Sequence, residues 1–141
     1  MAVTKKFTAN LSFSSQNVFP TALSLSEGMT VTVDGDSANS GSLKVTSSVQ
    51  VPICTSGTEG QGLDAGSRAF VLVKNVGTND DGDIEVEGED NDRIMYLKAG
   101  EWAFFPFMMV GSAVSSVNIT GASATAGYCE YIVIETTTTD Y

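Results

Sequence analysis

The chain has no histidine, and only 7 of its 141 residues are lysine or arginine, against 17 aspartates and glutamates. Without an imidazole, the ordinary base for a serine or cysteine nucleophile is missing, and so is the commonest transition-metal ligand. The formal net charge of -10 opposes nucleic-acid phosphates and anionic membrane surfaces, so neither is expected as a partner. There are only two cysteines, Cys54 and Cys129. That is too few for a disulfide scaffold, and both sit beside apolar strand residues, where a buried free thiol is the expected state. A bridge would need their Cα atoms within about 7 Å, which is left open. The longest uncharged apolar run, residues 102–110, is broken by Pro106 and falls far short of the roughly 20 residues of a membrane helix. No hydrophobic stretch of signal-peptide length follows residues 1–6, so the chain is expected to be made in the cytoplasm and left unprocessed.

Glycine, serine and threonine are abundant, together 45 residues, a composition that favours short strands and turns over helices. No window carries a helical apolar stripe. Period-two alternation is plain instead. Phe7, Ala9, Leu11 and Phe13 oppose Lys6, Thr8, Asn10, Ser12 and Ser14. Leu43, Val45, Val49, Val51 and Ile53 oppose Lys44, Thr46, Ser48 and Gln50, while Met29, Val31 and Val33 oppose Thr30 and Thr32. Ile84 and Val86 against Asp83, Glu85 and Glu87 make a fourth such strand, with the acids on its wet face. Such patterns predict strands with one core face and one solvated face. Residues 34–41 and 55–67, rich in glycine, serine and aspartate, read as loops. The expectation is an all-β chain of about eight to ten strands: an antiparallel β-sandwich or jelly-roll-like single domain over residues 1–141. Residues 1–13 would form an extended N-terminal arm or strand.

Three further runs are apolar on both faces: Phe70-Val71-Leu72-Val73, Trp102-Ala103-Phe104-Phe105 and Tyr131-Ile132-Val133-Ile134. One face of such a strand meets the opposite sheet, and the other must be covered by a loop, an arm or another subunit. This predicts a homo-oligomer, with Phe7, Leu11, Phe13, Val71, Val73, Phe105, Met108 and Met109 as candidate subunit-contact residues.

Eight acids, Asp80, Asp81, Asp83, Glu85, Glu87, Glu89, Asp90 and Asp92, crowd one short segment. Their spacing misses the calcium-loop pattern, and solvated hairpin tips that guard edges and aid solubility are the expected reading. No metal requirement and no cofactor are expected, with weak calcium binding left open. No serine lies in a Gly-x-Ser-x-Gly elbow, and carboxylates on exposed turns lack the burial that prepares a general acid, so no catalytic residue is expected.

The succession Phe70-Val71-Leu72-Val73-Lys74-Asn75, Ile84-Glu85-Val86, Arg93-Ile94-Met95-Tyr96-Leu97 and Lys98-Ala99-Gly100-Glu101-Trp102-Ala103-Phe104-Phe105-Pro106 resembles small virion proteins of tailed bacteriophages. These include capsid decoration (cement) proteins, head fibres and tail accessory subunits. The resemblance covers just over a quarter of the chain, through a strand, a Gly-Glu turn and an aromatic strand. It implies a β-sandwich or jelly-roll subunit, often trimeric, made in the host cytoplasm and added to a virion, with the major capsid protein or another virion protein as partner. It carries no active site. A glycan- or receptor-binding module is the alternative, its ligand resting on Trp102, Tyr96, Tyr128 or Tyr141; for all but Tyr141, ordinary core packing is the expected role.

Overall fold

The computed structural model describes residues 5–14, 24–55, 68–78, 82–88, 91–108 and 116–136. These form nine strands and no helix: β1 (Lys5–Ser14), β2 (Ser24–Val45), β3 (Gln50–Thr55), β4 (Arg68–Asn75), β5 (Ile84–Glu87), β6 (Arg93–Leu97), β7 (Trp102–Met108), β8 (Ser116–Gly121) and β9 (Gly127–Thr136). Sheet A has the order β1-β2-β9-β4-β7 and sheet B the order β3-β8-β5-β6. The pairs β2 with β9, β3 with β8, β4 with β7 and β5 with β6 are nested, and all are antiparallel. A long ribbon rolled into two sheets produces this nesting, which is the jelly-roll topology. β1 is an added strand at the end of sheet A.

The core lies between the sheets. Val71 and Val73 of β4, Val133 of β9, Ile84 and Val86 of β5, and Val117 and Ile119 of β8 are almost wholly buried. Each strand alternates, so its intervening residues face outward. In β3 both Ile53 and Cys54 are buried, because the register with β8 shifts between Pro52 and Cys54 and turns successive residues inward. The alternating stretch around Leu43 to Ile53 is two strands: a turn closed by Val49 N–H donating to Thr46 C=O (2.9 Å) separates β2 from β3 and leaves Val49 exposed.

Asn75 ties the end of β4 to three neighbouring segments. Its fully buried amide donates to the carbonyls of Gly82 (3.1 Å) and Leu97 (3.0 Å) and accepts from Gly77 N–H (2.9 Å). Its backbone donates to Glu101 C=O and accepts from Gly100 N–H. The turn at 98–101 puts Gly100 at φ 83° and is closed by Glu101 N–H donating to Lys98 C=O, which is why a glycine occupies its third position.

Two expectations about the chain path need correction. Residues 34–41 are not a free loop: β2 runs through them, with Ala38 to Gly41 paired to β9. Only residues 34–37 leave the ladder, where the register jumps from Val33 opposite Thr136 to Ala38 opposite Ile134. Polar composition did not prevent pairing, because the apolar strand β9 supplied a complete ladder. The acids of β5 are the second correction. Asp83, Glu85 and Glu87 are each more than nine-tenths buried, since β5 is an inner strand of sheet B and its outward side chains are packed between those of β6 and β8.

Candidate functional site: an apolar groove under a hairpin arm

The first half of β2 leaves the sandwich at the 34–37 bulge and pairs with β1 along its whole length, from Lys5 opposite Val33 to Ser14 opposite Ser24. The resulting hairpin stands over the outward face of sheet A and encloses a groove of about 760 Å³. The floor is the second face of the two-faced strands: Phe70 and Leu72 of β4, Trp102 and Phe104 of β7, Ile132 and Ile134 of β9. The arm contributes Phe7, Ala9, Leu11 and Met29. One cation, Lys74, and one carboxylate, Glu27, also line it.

Arm and floor meet through aromatic rings near the start of β1. Phe7 approaches Phe70 and Phe104 edge-on, with centroids at 5.4 and 6.5 Å, and Phe70 stacks on Phe104 at 5.6 Å. Such pairs contribute roughly 0.5–1.5 kcal/mol each beyond their buried area. Farther along, the groove stays open: Leu11 is 44%, Met29 38%, Ile132 42% and Trp102 53% exposed. The groove's volume lies in the range of small-ligand clefts, and its lining is mostly apolar.

The candidate contact residues divide accordingly. Phe7 and Leu11 lie in the groove. Val71 and Val73 do not serve as contacts: both are fully buried and face sheet B, so it is Phe70 and Leu72 of the same strand that turn outward. Phe105 likewise packs partly buried against the core. The two-faced pattern identified the strands but not which face was which. Met109 lies outside the described residues, and Phe13 and Met108 are placed only as backbone positions in β1 and β7. Trp102, Tyr96 and Tyr128 are exposed rather than packed in the core as expected; Tyr141 lies outside the described residues.

The outward face of sheet B is polar. Tyr96 OH donates to Asp83 Oδ2 (2.7 Å), Gln50 Nε2 to Glu87 Oε2 (2.9 Å), and Arg93 forms an ion pair with Glu85. Asn118 donates to Gly88 C=O (3.0 Å) and to Ser116 Oγ (2.9 Å). The hydrogen bond to Asp83 is the main cause that raises the Tyr96 pKa, and burial adds to it. Among the described residues Asp83 Oδ1 has no hydrogen-bond partner. Among the described residues no three potential metal ligands cluster; Asp80, Asp81, Glu89 and Asp90 of the acidic segment lie outside them.

Both cysteines are free and buried. Burial, with the charge of Glu135 adding, pushes the Cys54 thiol up to about 12. Burial pushes Cys129 up to about 11, against a lowering backbone hydrogen bond at Leu43. Neither is a thiolate at neutral pH, the form a nucleophile needs. The groove itself was readable as a need, since three strands had a second face to cover. Its roof was readable only as one of three covers, a loop, an arm or another subunit, because nothing in the alternation of β1 says which apolar surface the strand will face. No protein-family model and no curated protein matches the chain.

Proposed function

We propose that this protein is a non-enzymatic, self-associating accessory subunit of a tailed-phage particle, a capsid decoration protein bound to the major capsid protein on the outside of the head. The observation that carries the reading is the apolar groove: a rigid jelly roll holds out an arm and an open apolar floor, which is the equipment of a docking subunit. Strong negative charge keeps many copies dispersed before assembly. The described acids of sheet B are engaged with one another's neighbours rather than gathered around a reactive centre, and the two thiols are neutral. The jelly roll also serves lectins and enzymes, so the groove and not the fold carries the reading.

Mixing the purified protein with undecorated phage heads tests it. Saturable binding at a copy number set by the shell is expected; co-purification at low copy with tails or fibres instead would replace this reading with that of a tail accessory. Removing residues 1–14 should abolish binding and leave the sandwich folded, because no described β1 side chain belongs to the core between the sheets. Loss of the β-sheet circular dichroism signal on that deletion would show the arm to be part of the folding unit.

A further inference from the structure

Among the described residues four strands end a sheet: β1 and β7 in sheet A, β3 and β6 in sheet B. Natural proteins guard such edges with prolines, bulges, charge or short length. β3 contains Pro52 and a register break, β6 has five residues and starts at the exposed Arg93 beside another break, and β7 contains Pro106. Of these β1 has only charge, confined to Lys5 and Lys6 at its start. It is ten residues long, pairs with β2 without a register shift, and contains neither proline nor an acid. Within a chain of net charge -10 it carries only Lys5 and Lys6, so repulsion between copies opposes contact least along this edge.

The pattern of β1 also complements itself. Phe7, Ala9 and Leu11 alternate with the exposed Lys6, Thr8, Asn10 and Ser12 along β1, so the two sets take opposite faces of the strand, although Thr8 and Asn10 also border the groove. Set antiparallel to a second β1 about a two-fold axis at Ala9, Phe7 faces the second copy's Leu11, and Ala9 faces its own equivalent. Thr8 then faces the second copy's Asn10, and Lys6 faces its Ser12. Large side chains meet across the pair on either side of a small central one, and no like charges stand opposite.

We propose that β1 of one copy pairs with β1 of a second copy in this register, joining two five-stranded sheets into one. The contact is isologous and closes on itself, so it yields pairs rather than filaments. It refines the self-association within the accessory-subunit reading and replaces the three-fold form implied by the resemblance. Its test needs no phage particle, so failure to bind heads would leave it standing.

Sedimentation of the full chain at concentrations up to about 100 μM should give the mass of two copies; one or three copies would overturn the proposal. The double substitution Thr8→Glu with Asn10→Glu brings each new carboxylate opposite one from the other copy, and should weaken pairing by about three- to thirtyfold. Mixing it with the Thr8→Lys, Asn10→Lys variant should restore a mixed pair. Unchanged pairing in the acidic variant would place the contact elsewhere. Ala9→Cys should form a covalent dimer on mild oxidation, since directly opposed strand residues have Cα atoms within disulfide range. Leu11→Cys, opposite the second copy's Phe7, should not. Failure of Ala9→Cys to cross-link in a folded, paired protein would exclude the register, and equal cross-linking of both variants would do the same.

Discussion

The outward faces of the two sheets are built on strands from the same ribbon, yet one is polar and closed and the other apolar and open. On sheet B, Glu85, Glu87, Asn118 and Thr120 are buried although they point away from the core: Arg93 pairs with Glu85 and Gln50 with Glu87, while Asn118 donates to Gly88 C=O and Ser116 Oγ and Thr120 to Thr46 C=O. On sheet A, Leu72, Phe104 and Ile132 point outward, and among the described residues no layer fills the space beneath the distal part of the arm. Buried polar groups are costly unless paired, so the first face is finished within the chain. Exposed apolar groups leave no hydrogen bond unmade, and covering them returns roughly 25 cal/mol per Å², so the second face is available to a partner.

This difference can be broken by substitution. Ile119, on the inner side of β8 and fully buried, sets the scale: Ile119→Ala should destabilise by about 3–4 kcal/mol in urea unfolding, from lost transfer energy and the cavity left behind. Its neighbour Asn118 faces outward but gives up two hydrogen bonds, so Asn118→Ala should cost about 1–2 kcal/mol. A value near zero would mean that water satisfies this face and that it is not closed. Trp102→Ser, on the open face, should change stability by no more than about 0.5 kcal/mol while weakening binding to phage heads. A stability loss as large as that of Asn118→Ala would make the groove a part of the fold rather than a docking surface.

The thiols sharpen the comparison at alkaline pH. Both have folded pKa values above the ordinary value of 9.0. Between that value and about 11–12 the unfolded chain releases protons that the folded chain keeps, so stability should fall as pH rises above about 9. Below 9 the two thiols should have no effect. At pH 8 neither should react with a thiol reagent until denaturant is added; prompt labelling of the native protein would show the sandwich to be open at Cys54 or Cys129.

Much of the sandwich was legible in local pattern. Alternation located most strands, and the Lys98-Ala99-Gly100-Glu101 sequence announced a turn whose third residue adopts φ 83°. Burial of β5 was not legible, because Glu85 and Glu87 read as solvated until the strand is known to lie between β6 and β8. Nor was the role of Asn75 visible. Its partners, Gly82 and Leu97, are brought to it by the roll of the ribbon, although an uncharged amide at the end of an apolar strand is a signal worth following. In the groove, the need for a cover was readable from Phe70-Val71-Leu72-Val73, but the sidedness depended on which sheet lay opposite.

The bulge at residues 34–37 has a mechanical consequence. β2 is the single described strand by which the hairpin is covalently continuous with the jelly roll, and beyond the bulge it is bonded to β9 from Ala38 to Val45. Tension applied to the hairpin by whatever holds it therefore enters the body through one strand. There it is resisted by a row of backbone hydrogen bonds to an interior strand, itself clamped by β4 along its other edge. Residues 34–37 lie between the Val33–Thr136 pair and the ladder that starts at Ala38, so tension loads Thr136 first and reaches the rest of the ladder through the bulge.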